Sequence, residues 1–272
     1  MSVFTAILLG IIQGLTEFLP VSSSGHLVLF QKIFGISEPA LLFDTMVHIG
    51  TLAAVCVVLR RDILAILRKP FQPVTANLLI ATIPAVIFAL AFKKPIELAF
   101  ETGQFLGFAF LVTAALLAAA ELLSKQANRA AFGAFNPDPK WPDSLFIGIM
   151  QAIAIIPGVS RSGATISGAL ARKLDRDIAA RFSFLLSIPA ILGALLLQIM
   201  DLAKKAPSGA QPDAIGPAAI AAGTLSAAVV GFFAVRFMLK IIREKSLWGF
   251  VIYTGVLGLL VISDQFLTHI VF

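Results

Sequence analysis

Charged side chains are scarce: they make up 13% of the 272 residues, where a soluble domain of this length carries about 25%. That shortage excludes an ordinary water-soluble domain. Cysteine is nearly absent. The single residue, Cys56, lies in an apolar run, so no disulfide can form within the chain, and the thiol reads as packing. No lysine or arginine precedes Lys32, so the apolar start from Val3 does not have the positive beginning of a cleavable signal peptide and reads as part of the mature protein. There is also no arginine-rich tail or basic helix. The net charge of +6 and the pI near 9.7 therefore do not point to nucleic acid, because the basic residues sit in short stretches between apolar runs, where membrane orientation signals belong.

What the chain has in abundance is apolar sequence, 58% of residues with a mean hydropathy of +0.95. Six stretches approach or exceed the roughly 20 residues needed to cross a bilayer as a helix: 41–59, 76–92, 105–123, 180–200, 217–237 and 247–267. The segments between them, 60–73, 93–104, 124–142, 201–216 and 238–246, are expected to be connections. Two further apolar stretches, 3–19 and 144–156, are shorter. Each runs into a proline and a break rich in serine and glycine, then resumes as a short helix, 26–34 and 164–171. Irregular backbone survives at membrane depth only where protein or a water-filled cavity satisfies its polar groups. These two segments are expected to be re-entrant helix–loop–helix hairpins.

Basic residues concentrate on alternate connections: Arg60, Arg61, Arg68 and Lys69, then a cluster from Lys125 to Arg181, then Lys240, Arg243 and Lys245. They outnumber Lys32, Lys93, Lys94, Lys204 and Lys205 on the other side, which places the first set in the cytoplasm and both termini outside. Trp141 and Trp248 fall at the cytoplasmic boundary, where amphipathic rings settle. A shift of 138 residues brings Gly10 onto Gly148, Gln13 onto Gln151, Ser22 onto Ser160, and Ser24-Gly25 onto Ser162-Gly163. With three spans per half, the second half enters from the opposite side. The expected fold is all-α, a polytopic membrane protein with an inverted-topology repeat: residues 1–123, a connection at 124–142, and residues 143–272. Such proteins place their site where broken helices meet near the midplane.

The first break contains Gln13, Glu17, Pro20, Ser22, Ser23, Ser24, Gly25 and His26. Gln13 and Glu17 share a helix face, and an ionisable residue in an apolar segment marks a functional site by default. The hydroxyls and Gly25 precede a new helix, whose first backbone N–H groups form a ready anion site. The positive end of that helix favours a neutral, basic or nucleophilic His26. In the second break, Pro157-Gly-Val-Ser160-Arg161-Ser162-Gly163-Ala-Thr165, an arginine takes the position of Ser23, and its fork suits a phosphate bidentately. Taken singly, the serines cap helices, Arg161 snorkels and His26 packs. Facing one another, the two loops offer a nucleophile, a charge clamp and a carboxylate, the set needed to attack a diphosphate. His48 reads as an interhelical hydrogen-bonding residue, and Pro84 and Pro189 as ordinary kinks.

The motifs at 13–26 and 157–168, together with 43–55 and 182–189, closely resemble those of the bacterial undecaprenyl-diphosphatase family, also called bacitracin-resistance proteins, over essentially the whole chain. The resemblance implies a membrane phosphatase that converts undecaprenyl diphosphate to undecaprenyl phosphate and inorganic phosphate, recycling the carrier for peptidoglycan synthesis and conferring bacitracin resistance. It also implies an inner-membrane location, a site opening to the periplasm, and a divalent metal, Mg2+ or Ca2+. By position, Glu17, Ser22, Ser23, His26 and Arg161 match catalytic residues, and Ser24, Gly25, Ser160, Ser162, Gly163 and Thr165 line the substrate. The family's first motif begins with Glu or Gln. Here it is Gln13, which leaves Glu17 as the sole acidic metal ligand. The attacking group is His26, Ser22 or Ser23. A polyprenyl-phosphate flippase is the rival reading, since carriers also use anion-binding broken helices. The sequence is compatible with a monomer or a homodimer and implies no nucleic-acid partner.

Overall fold

A computed structural model describes residues 1–36, 41–130, 138–205 and 215–272. The described residues form twelve α-helices and no strand: α1 (Val3–Thr16), α2 (Ser23–Ile33), α3 (Leu41–Val58), α4 (Arg60–Arg68), α5 (Pro73–Ala91), α6 (Lys93–Thr102), α7 (Leu106–Ala130), α8 (Trp141–Ile153), α9 (Arg161–Ala171), α10 (Arg176–Lys205), α11 (Pro217–Glu244) and α12 (Trp248–Ser263). A π-turn at Asp264–Thr268 follows α12. Apolar residues supply the helical stretches, and local chemistry sets their ends. Pro73 and Pro217 start α5 and α11 at the first helical position, where a missing N–H costs nothing. Ser2, Ser22 and Ser160 cap α1, α2 and α9 through their side chains.

Among the described residues, α5, α7, α10, α11 and α12 contain segments long and apolar enough to cross a membrane. The expected span at 41–59 corresponds to α3, which meets α4 at a 77° bend, and the bent pair makes a sixth candidate. The chain is thus an all-helical polytopic membrane protein. Both α5 and α10 continue through their internal prolines, Pro84 and Pro189.

Several expected connections are helical instead. Residues 60–73 contain α4, and 93–104 contain α6, which ends at Gly103 in the left-handed conformation. Both carry too many charges to register as apolar spans, yet their apolar residues recur at helical spacing, as in helices that lie at a membrane interface. At 238–246 the link is short because α11 runs on to Glu244. From 124–142 and 201–216 the structure adds the ends of α7 and α10; residues 131–137 and 206–214 lie outside the described set.

Helix contacts rely on small residues. A Cβ on Gly10 would stand 2.2 Å from the Gly223 carbonyl oxygen, and one on Gly148 would stand 2.5 Å from that of Ala81. These contacts seat α1 on α11 and α8 on α5 with backbones nearly touching, the usual packing device inside a bilayer. The main core surrounds Phe18 and Phe184, whose rings meet edge to face at 5.5 Å, with Leu117, Ile147, Ile166 and Leu186 buried around them. Cys56 packs against this core, as expected. At the strongly basic end, Arg176 donates to the Glu121 carboxylate at 2.8 Å and to the Lys245 carbonyl at 2.9 Å, tying α10 to α7 and to the end of α11.

Candidate active site

Both polar breaks fold the same way. After α1 the chain turns through residues 17–22 and re-enters a helix at Ser23; after α8 it turns and re-enters at Arg161. The second helices thus begin three residues before the expected starts at 26 and 164, because Ser22 and Ser160 act as N-caps. The Ser22 hydroxyl accepts from the Gly25 N–H at 3.2 Å, and the Ser160 hydroxyl from the Gly163 N–H at 3.0 Å. The paired serines match as well, with Ser22 and Ser24 hydroxyls 3.3 Å apart and those of Ser160 and Ser162 3.2 Å apart. Ser22 holds this turn at a φ of +72°, a region that a non-glycine residue occupies only under local constraint.

The breaks face each other. Ser162 donates to the Leu19 carbonyl at 3.0 Å, and Ser160 N–H reaches Thr113 of α7 at 3.0 Å. A Cβ on Gly25 would stand 3.1 Å from the Gly158 Cα and 2.7 Å from the Phe110 ring, so the loops close to backbone contact there. Gly158 itself turns with a φ of +91°.

Glu17 is the hub of the polar groups. Its Oε1 accepts from Arg161 Nη2; its Oε2 accepts from Gln13 Nε2 at 2.9 Å and from the Ser23 hydroxyl at 2.5 Å. His48 Nε2 stands 3.7 Å from the same Oε2. One buried carboxylate therefore gathers side chains from α1, α2, α3 and α9. Two atoms of this cluster are buried without a partner: the second guanidinium nitrogen of Arg161, Nη1, and the carboxamide oxygen of Gln13, Oε1. Unpaired donors and acceptors cost free energy inside an apolar protein, so they mark a place built to receive something.

His26 has other partners. Its Nδ1 lies 2.7 Å from the Ser22 carbonyl, which can only accept, so Nδ1 carries the proton. Its Nε2 lies 2.7 Å from the Tyr253 hydroxyl, and the ring sits between Phe110 and Tyr253. Its side-chain contacts among the described residues are with Ser22 of the first break, Phe110 of α7 and Tyr253 of α12. The Thr165 hydroxyl bonds the Arg161 carbonyl at 2.9 Å and Ser183 at 2.6 Å.

Comparison with known proteins decides the family. The family model for bacitracin resistance protein BacA matches residues 6–260. The chain belongs to this family. Its relatives include an undecaprenyl-diphosphatase of Carboxydothermus hydrogenoformans, 44% identical and covering 97% of this chain and 98% of its own length. Undecaprenyl-diphosphatase 4 of Bacillus thuringiensis subsp. konkukian is 44% identical with 96% of each chain covered, and an undecaprenyl-diphosphatase of Halothermothrix orenii is 39% identical with 96% and 98% covered.

In this member of the bacitracin-resistance family, sequence reasoning missed three contributors. Tyr253 is the only tyrosine in the chain and lies in an apolar span, which is a signal that could have drawn notice. Thr113 and Phe110 carry none, because a threonine or phenylalanine in α7 looks like any other. His48, read as an interhelical hydrogen-bonding residue, instead bonds the Asp44 carbonyl of its own helix through Nδ1 at 2.6 Å and turns Nε2 to Glu17.

The donor set can be tested against a divalent cation. Among the described residues no cluster of three or more His, Cys, Asp or Glu exists. Mg2+ and Ca2+, however, are commonly held by one or two carboxylates together with substrate phosphates and water. Glu17, the unpartnered Gln13 Oε1 and the Ser23 hydroxyl fit that pattern.

Proposed function

We propose that this protein is a membrane phosphatase that hydrolyses undecaprenyl diphosphate to undecaprenyl phosphate and inorganic phosphate, recycling the lipid carrier of peptidoglycan synthesis. The observation that carries this reading is the meeting of Glu17 and Ser23 from the first break with Arg161 from the second, with Arg161 Nη1 still free to bind. The names of its relatives support the substrate.

The terminal phosphate docks against Arg161 and the N–H groups at the starts of α2 and α9, which favour anions. Ser22 is spent on capping α2 and is buried, whereas Ser23 already directs its hydroxyl proton to Glu17. Ser23 is therefore the attacking group, with Glu17 as the acceptor of its proton. The Ser23 oxygen bonds to the terminal phosphorus as the bond to the undecaprenyl phosphate oxygen breaks, and water then releases phosphate from Ser23. His26, held by Ser22 and Tyr253, positions the start of α2. Glu17 and Gln13 would hold a divalent cation, which would supply charge neutralisation. The halves 1–123 and 143–272 act as an inverted repeat, in the bacterial plasma membrane, with the site opening to the periplasm. The matched caps at Ser22 and Ser160 support that repeat.

The test is phosphate release from undecaprenyl diphosphate by the purified protein, with and without chelator, beside Ser23→Ala and Arg161→Lys. Chelator-sensitive release is the expected result, falling by about 10²–10³ in Arg161→Lys, the size typical of losing one charge-stabilising donor, and further still in Ser23→Ala, which lacks the attacking oxygen. Full release by Ser23→Ala would assign the attack elsewhere, and lipid binding without release by the native protein would make it a carrier.

A further inference from the structure

His48 Nε2 meets the Glu17 carboxylate in an ion-pair contact, and the same two atoms are also spaced to share a cation. The 3.7 Å between His48 Nε2 and Glu17 Oε2 exceeds hydrogen-bonding range. Nδ1 donates its proton to the Asp44 carbonyl, which leaves Nε2 as the ring atom turned towards the carboxylate. Two donor atoms bonded to a common ion at about 2.0–2.2 Å each stand roughly 3–4 Å apart, which is the separation observed. Metal-bound histidines characteristically anchor their other ring N–H on a backbone carbonyl or carboxylate, as His48 does. Beside the pair lies Gln13, fully buried, with Oε1 unpartnered and Nε2 donating to that same Glu17 oxygen. Half a turn of its carboxamide presents a third donor oxygen to the same point. His26, by contrast, has its Nε2 engaged by Tyr253.

We propose that His48 is a nitrogen ligand of the divalent cation, completing with Glu17 and Gln13 a mixed nitrogen–oxygen site. The assignment rests on the metal-assisted phosphatase reading above. Its chemical consequence is a shift in preference. Carboxylate and carbonyl oxygens alone suit Mg2+ and Ca2+, whereas an imidazole ligand favours transition ions such as Mn2+ and Zn2+. Oε1 of Glu17 remains with Arg161, so the metal and the guanidinium take opposite oxygens of one carboxylate and form the two walls between which a diphosphate fits.

The probe is Mn2+ added to the purified full chain in detergent, read by pulsed electron paramagnetic resonance. The native protein and His26→Ala are expected to show nitrogen modulation from a bound imidazole. His48→Gln should lose it, and its Mn2+ affinity should fall at least about tenfold. Bound Mn2+ with no nitrogen signal in the native protein, no Mn2+ binding there, or a signal that persists in His48→Gln, would each overturn the assignment. Phosphate release from the same native samples separates the two levels: chelator-sensitive release without the nitrogen signal removes only His48, whereas chelator-insensitive release removes the metal reading beneath it.

Discussion

Glu17 brings a full negative charge into a helical bundle and accepts three hydrogen bonds there. A buried ion pair of this kind is costly to break from one side, because the remaining charge has neither water nor partner. Arg161→Ala should therefore destabilise the protein by about 3–5 kcal/mol, the usual penalty for such a truncation. Adding Glu17→Gln to the same chain should recover most of that stability while phosphate release stays lost. Thermal unfolding of the two variants in detergent, with turnover measured on each, checks both halves of the statement. If the double variant is no more stable than Arg161→Ala, the pair is not the source of the cost. At this scale the sequence was informative where chemistry was local. Gln13 and Glu17 share a face four residues apart and do bond, and Arg161 does stand where Ser23 stands in the other hairpin. What could not be read was contact across distance. The bond from His26 to Tyr253 spans 227 positions and leaves no local trace.

Among the elements, the re-entrant hairpins depend on close helix approach. Gly10 and Gly148, 138 residues apart, each press against the backbone of another helix, with hypothetical Cβ distances of 2.2 Å and 2.5 Å. Overfilling such a contact costs about 1–3 kcal/mol. Gly10→Ala and Gly148→Ala should both lower the melting temperature, whereas Gly249→Ala, with nothing within 4 Å, should not. A differential scanning measurement on the three variants is sufficient, and unaltered melting of Gly10→Ala would show that α1 can move off α11 at no cost. The breaks themselves were legible, since proline, serine and glycine in an apolar run have few other uses. The helices α4 and α6 were not, because their charges hide them from a search for spans and only the period of their apolar residues reveals them.

For the whole molecule, the uneven distribution of basic residues predicts which end faces the cytoplasm. In a Cys56→Ala background, a cysteine at Lys94 should react with a membrane-impermeant maleimide in intact cells, and one at Lys245 only after the membrane is opened. The reverse pattern would invert the orientation and put the site on the other side. The charge bias has a second origin that sequence alone did not separate from the first: Arg172 and Arg176 are bonded to Asp143 and Glu121, so part of the basic cluster holds the bundle together.

The seating of α1 on α11 also has a consequence for biosynthesis. α1 leaves the ribosome long before its partner α11, which begins only at Pro217. At about 5–20 residues per second, synthesis of the intervening chain takes on the order of ten seconds or more. Throughout that interval Glu17 has been translated and Arg161, for most of it, has not. The nascent amino-terminal hairpin must therefore wait with its carboxylate unpaired, either neutralised by a proton or sheltered by the insertion machinery. The pairing of Glu17 with Arg161 is then a late event of membrane insertion.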